Sequence, residues 1–189
     1  LDQPFVSQLH PGSAIALSID PTFEVAENSG LASSTRRTAI EIWEGQLPRG
    51  NPEKLAKILF CCDNPPGTKE ITGSIDSIGL VYPGLVKANY AGEYWPESID
   101  HTQDEAILKF IEELIYLVPI AARPAGYSVL KDSNITTETV KNLADASEAC
   151  WQAILAQDAN AFGQSVTASF DALVAIFPQM SNAKIVKVI

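Results

Sequence analysis

Histidine is scarce in this chain: His10 and His101 are the only two, and they stand far apart. That argues against a histidine-based metal centre and against a Ser-His-Asp triad, each of which needs imidazole at the reacting atom. Cysteine is nearly as rare. Cys61, Cys62 and Cys150 make an odd number with two adjacent, which gives neither a disulfide framework nor zinc spacing. Buried free thiols in a reducing cytoplasm are the expectation. Basic residues are also short, with 13 Lys and Arg against 23 Asp and Glu and a net charge of −10. A nucleic-acid partner needs a basic face and is argued against, whereas a nucleotide needs only a small local positive site. Long apolar runs are missing too. The stretch 115–122 is far too short to span a bilayer and no signal peptide is visible, so a cytoplasmic chain without a membrane partner is expected. The first residue is Leu1 rather than methionine, and a start inside a longer gene product is expected.

What is present describes a packed protein. A hydrophobic share of 46% against 19% charged residues separates the chain from disordered sequences, and 189 residues suit one large domain or two small ones. Val6, Ile15, Leu17 and Ile19 read as strand residues, the last three at period two. A loop over 26–34 and a helix over 38–43 follow, stopped by Gly45 and Pro48. Asn51-Pro52 opens a second helix, with Leu55, Ile58, Leu59 and Cys62 along one face. Residues 63–74 hold two prolines and two glycines, which rule out regular structure, and long irregular loops are often functional. Gly67-Thr68-Lys69 lacks the spacing of a P-loop.

Beyond that loop, 86–90 reads as a strand and Ala91-Gly92-Glu93 as a turn to Tyr94-Trp95 in a hairpin. A helix over 103–113 carries Ala106, Ile107, Phe110, Ile111 and Leu114 on one side, and 114–120 reads as a strand. The clearest helix is 136–157; Thr137 with Val140 and Lys141 makes no capping box, but Thr136 or Thr137 can cap it. A further helix over 160–177 is ended by Pro178. Their apolar residues at three- and four-residue spacing suit an antiparallel helical pair. Strands followed by a helix-rich end give an α+β chain, with a boundary near 98–102 separating 1–98 from 99–189.

The stretch Asn-Ser-Gly-Leu-Ala-Ser-Ser-Thr-Arg-Arg at 28–37 is the most distinctive. Glycine, hydroxyl residues and two cations stand directly before a helix, where unpaired amides and the helix dipole attract phosphate. A plain capped helix start explains the same residues, since Ser and Thr are favoured caps.

Ser29-Gly30-Leu31-Ala32-Ser33-Ser34-Thr35 resembles the Gly-Leu-Gly-Ser-Ser-Ala phosphate loop of the GHMP kinase superfamily. Gly73-Ser74-Ile75-Asp76-Ser77 resembles that family's Gly-Gly-x-Gln-Asp segment, and Ala122-Arg123 its Thr-Gly-x-x-Arg segment. The likeness spans residues 12–189 and is nearest the sugar-kinase branch that includes fucokinase, heptose kinase and galactokinase. Ala32 replaces a glycine of the family pattern and Ile75 its glutamine. The family's first motif is not found near Pro11-Gly12. The chain ends at Val186-Lys187-Val188-Ile189 without the Gly-rich third motif, so a partial chain or a reduced relative is expected.

The resemblance implies a two-layer N-terminal domain whose phosphate loop leads into a helix, and a helix-rich C-terminal domain. It implies an ATP- and Mg²⁺-dependent kinase acting on a hydroxyl of a small molecule, a sugar first and a mevalonate-type alcohol as an alternative. A non-catalytic nucleotide- or sugar-binding regulator is the rival from another class. On this reading Ser29, Gly30, Leu31, Ala32, Ser33, Ser34, Thr35 and Arg36 cradle the nucleotide. Ser34 and Asp63 hold the metal, Asp76 is catalytic, and Arg123 shapes the substrate site. Set beside these roles, Asp63 equally suits a turn and Arg123 an exposed surface, while Asp76 also suits a helix cap but its place after Gly73-Ser74 favours the functional role. Trp43, Tyr94 and Trp95 are better read as packing than as a sugar site.

Overall fold

The computed structural model describes residues 32–44, 46–116, 128, 130–182 and 185–186. Helix α1 is Ser33–Trp43, α2 Pro52–Asp63 and α3 Ile75–Val81. Strands β1, Leu85–Asn89, and β2, Ser98–Thr102, follow, then α4, Glu105–Leu114. Helices α5, Thr137–Leu155, and α6, Ala159–Ile176, lead to a short 3-10 turn, Pro178–Met180. The described residues are thus mixed and helix-rich with one small antiparallel sheet, broadly α+β. The strands expected before residue 25 lie outside the described residues; of the strand expected over 114–120, Leu114 instead ends α4, 115–116 are in no strand, and 117–120 lie outside the described residues.

Two compact units divide the chain between Lys109 and Phe110, within α4. In the first, α1, α2 and α3 contact one another around Ala39, Ala56, Leu59 and Ile78, all wholly buried. Small residues on α1 and α2 let the backbones approach, and Leu59 and Ile78 fill the space between. Trp43, Trp95 and Leu55 pack onto this core. The buried face of α2 therefore runs through Ala56 and Leu59, while Ile58 and Cys62, expected on it, are exposed. Cys61 is exposed as well and Cys150 half-buried, which corrects the expectation of buried thiols.

Most helix starts follow local chemistry. The Asn51 side chain accepts from the Lys54 amide at 3.0 Å with Pro52 at the first position, so α2 begins where a cap and a preset φ coincide. Asp104 Oδ1 accepts from the amides of Ala106 and Ile107 to start α4. Asp158 does the same for α6 through Asn160 and Ala161. Thr136 caps α5 in a reciprocal box with Thr139, which decides between Thr136 and Thr137 as the cap.

The hairpin also differs from expectation. β1 pairs antiparallel with β2, Leu85 opposite Thr102 and Asn89 opposite Ser98, so the connection is the longer stretch 90–97 and Tyr94-Trp95 lies in it. Lys87 faces Asp100 across the ladder, with Lys87 Nζ 3.2 Å from the carboxylate. The residues read as a domain boundary are therefore β2 itself, inside the first unit. Between α3 and β1, Gly84 has φ of 78°, and a Cβ there would collide with the carbonyl oxygen of Thr102. Only glycine suits this corner.

In the second unit α5 and α6 pack along each other, joined by a tight turn in which Gln157 has φ of 54°. Phe110 and Phe162 meet edge to face with centroids 6.5 Å apart. No helix among the described residues is long and apolar enough to cross a membrane.

Candidate functional site

Helix α1 begins at Ser33, five residues earlier than the sequence pattern suggests, so Ser34, Thr35 and Arg36 lie in its first turns rather than in a preceding loop. The residue before it, Ala32, sits in the left-handed region at φ 54° and ψ 32°. A methyl side chain provides no cap, so α1 differs from α2, α4, α5 and α6, each started by a side-chain oxygen. The first amides of such a helix favour an anion. The left-handed backbone at Ala32 also explains why glycine would suit this position.

Ser34 and Thr38 are one turn apart on the same side of α1, and the Thr38 hydroxyl lies 3.3 Å from the Ser34 carbonyl oxygen. The same hydroxyl donates to Asp63 Oδ1 at 2.6 Å, joining α1 to the last residue of α2. Ser34 is exposed, Thr35 buried, and Arg36 half-buried.

Asp63 is followed by the irregular stretch 64–74, whose two ends are fastened by Asn64. Its Oδ1 accepts from the Thr72 amide at 2.8 Å, and its Nδ2 donates to the Phe60 carbonyl at 2.9 Å. This clip closes the loop against the end of α2 and delivers the chain to the start of α3. Asp76 then falls in the first turn of α3.

The electrostatics of Asp76 link three helices. Burial raises its carboxyl above the ordinary aspartate range, the negative charge of Asp63 raises it further, and the Arg36 guanidinium opposes both. Burial lowers the affinity of Arg36 for its proton, and Asp76 partly restores it. A cation on α1, a carboxylate ending α2 and a carboxylate starting α3 therefore act on one another. Among the described residues no group of three or more His, Cys, Asp or Glu is placed to hold a metal.

The structure thus brings together Arg36, Asp63 and Asp76, with Ser34 one turn from the Thr38 that binds Asp63. Ser29, Gly30, Leu31 and Arg123 lie outside the described residues, as does the side chain of Ser33. Trp43 and Trp95 pack onto the core, and Trp95 meets Phe60 at 5.8 Å and Lys57 at 5.2 Å. Tyr94 is exposed at 57%. Sequence reasoning missed Thr38 as a partner of Asp63. The only signal was a hydroxyl residue four positions after Ser34, which periodicity alone cannot pair with residue 63.

Compared with family models, with curated proteins and with solved structures, the chain matches none.

Proposed function

We propose that the first unit binds MgATP and directs transfer of the γ-phosphoryl group to a hydroxyl of a small metabolite, a sugar in the first instance. The observation that carries this reading is the electrostatic cluster of Asp76, Asp63 and Arg36, set on three helices, with Arg36 near the start of α1. Phosphoryl transfer asks little covalent chemistry of a protein; it asks for neutralised charge and an oriented hydroxyl. The resemblance of 29–35 and 73–77 to GHMP kinase motifs supports the same assignment.

Mg²⁺, when bound, neutralises phosphate charge. In this chain Asp63, held by Thr38, and the Ser34 hydroxyl are the groups to receive it. The amides opening α1 suit the phosphates, with Arg36 adding positive charge. Asp76, its proton affinity raised, is suited to accept the proton of the acceptor hydroxyl. Arg123 remains assigned to the acceptor side by resemblance alone.

A second reading, a nucleotide- or sugar-binding regulator without turnover, is favoured by one observation. Ile75, at 46% exposure, stands where the family pattern has a polar glutamine beside the aspartate. Calorimetry with ATP and MgCl₂, followed by an ATP-consumption screen over monosaccharides and simple alcohols, separates the two. Binding with turnover supports the kinase, and Asp76→Asn should then abolish turnover while sparing nucleotide affinity. Binding without turnover supports the regulator. Absence of nucleotide binding removes the kinase reading.

A further inference from the structure

Ser74 occupies the position before α3 where a serine ordinarily caps its own helix, yet its hydroxyl makes no cap bond. It is wholly buried and donates to the Tyr94 carbonyl at 2.6 Å. A serine hydroxyl has one proton, so the Tyr90 phenol, 2.9 Å away, is the donor to Ser74 Oγ. The start of α3 is thereby tied twice to the hairpin connection 90–97. A helix of seven residues has little stiffness or intrinsic stability, and tertiary anchors decide how it lies. Asp76 is two residues beyond the anchor. Tyr90 keeps 46% of its surface exposed although its hydroxyl is engaged, so burial of its ring is not what holds it in place.

We propose that Ser74 and Tyr90 form a positioning clasp that sets the aim of Asp76 toward an acceptor hydroxyl. The proposal rests on the phosphotransfer reading above and adds two residues that do not touch the reacting atoms. The clasp converts the fixed hairpin into a fixed orientation of α3, and small misplacements of a catalytic group weigh heavily on rate.

The test uses the full chain with Tyr90→Phe, Ser74→Ala and the double variant. The probes are MgATP and the monosaccharide that the wild-type chain turns over fastest. Tyr90→Phe removes only an oxygen from a half-exposed ring and keeps the comparison valid if Ser74→Ala folds poorly. The expected result is a fall in kcat of about tenfold in Tyr90→Phe, with the calorimetric Kd for MgATP held within about twofold. The double variant should be no slower than the slower single variant, since both open the same clasp. An unchanged kcat in Tyr90→Phe, or equal losses in kcat and MgATP affinity, would overturn the clasp alone. Failure of the wild-type chain to turn over any acceptor would overturn the phosphotransfer reading, and the clasp's catalytic role with it.

Discussion

The hydroxyl of Thr38 donates to the carboxylate of Asp63 across 2.6 Å, tying the middle of one helix to the final residue of the next. The two residues are 25 positions apart in the chain. The bond fixes the carboxylate proposed to hold the metal, and it is a polar link between α1 and α2.

Replacing Thr38 with valine keeps the shape and removes the donor. A bond to a carboxylate at a part-buried site contributes about 1 kcal/mol after solvent screening. Thr38→Val should lower the urea midpoint accordingly with an unchanged slope, and it should weaken MgATP binding through a loosened Asp63. An unaltered midpoint would show that the bond adds nothing to the fold.

Ala32 holds a backbone conformation that glycine adopts freely. An L-residue there costs about 1–2 kcal/mol, part of which is offset by the smaller entropy of an unfolded alanine. Ala32→Gly should therefore raise stability by about 0.5 kcal/mol, while Ala32→Val should lower it. Denaturant titration of both variants checks the sign. Both destabilising would place the strain elsewhere.

The raised proton affinity of Asp76 gives a definite pH dependence. Where folded Asp76 is protonated more than in the unfolded chain, the native state binds more protons, and stability falls as pH rises through that window. The window opens near the ordinary aspartate value, about pH 4, and closes above the raised folded value. Asp76→Asn should flatten this slope, being more stable than the wild type at pH 7 with the advantage gone at pH 3. The same variant should lose turnover, so one side chain would trade stability for activity. Unfolding curves from pH 3 to 8 measure it, and a variant less stable at pH 7 would contradict the assignment.

Gly84 offers a test of the hairpin itself. Its added Cβ would meet the Thr102 carbonyl oxygen at a residue already at positive φ. Gly84→Ala should cost about 3 kcal/mol, whereas Gly92→Ala, at an open turn with φ of 94°, should cost about 1 kcal/mol. Thermal unfolding of the pair tests the ranking, and equal losses would mean that the close approach to Thr102 is relieved cheaply.

Much of the helical framework was legible in the residues. Asn51-Pro52 places the start of α2, and the apolar spacing of 136–157 and 160–177 places α5 and α6, because caps and periodicity act over one or two turns. The start of α1 was not legible, since Ser-Ser-Thr-Arg-Arg is ambiguous between loop and first turn and only the left-handed Ala32 marks the boundary. The hairpin partner was misplaced because Gly92 offers a turn, whereas pairing of Leu85–Asn89 with Ser98–Thr102 is chosen by side-chain packing and the cross-strand Lys87–Asp100 contact.

For the candidate site, the sequence by itself supplied the residue types: hydroxyls and cations at 33–37, a carboxylate at Asp63, another at Asp76. Their mutual action was decided by tertiary structure. The wholly buried Ala39, Ala56, Leu59 and Ile78 bring three helices together, and only that packing sets Arg36, Asp63 and Asp76 within electrostatic reach. Local propensity depends on neighbours in the chain, while a charge responds to whatever lies near it in space.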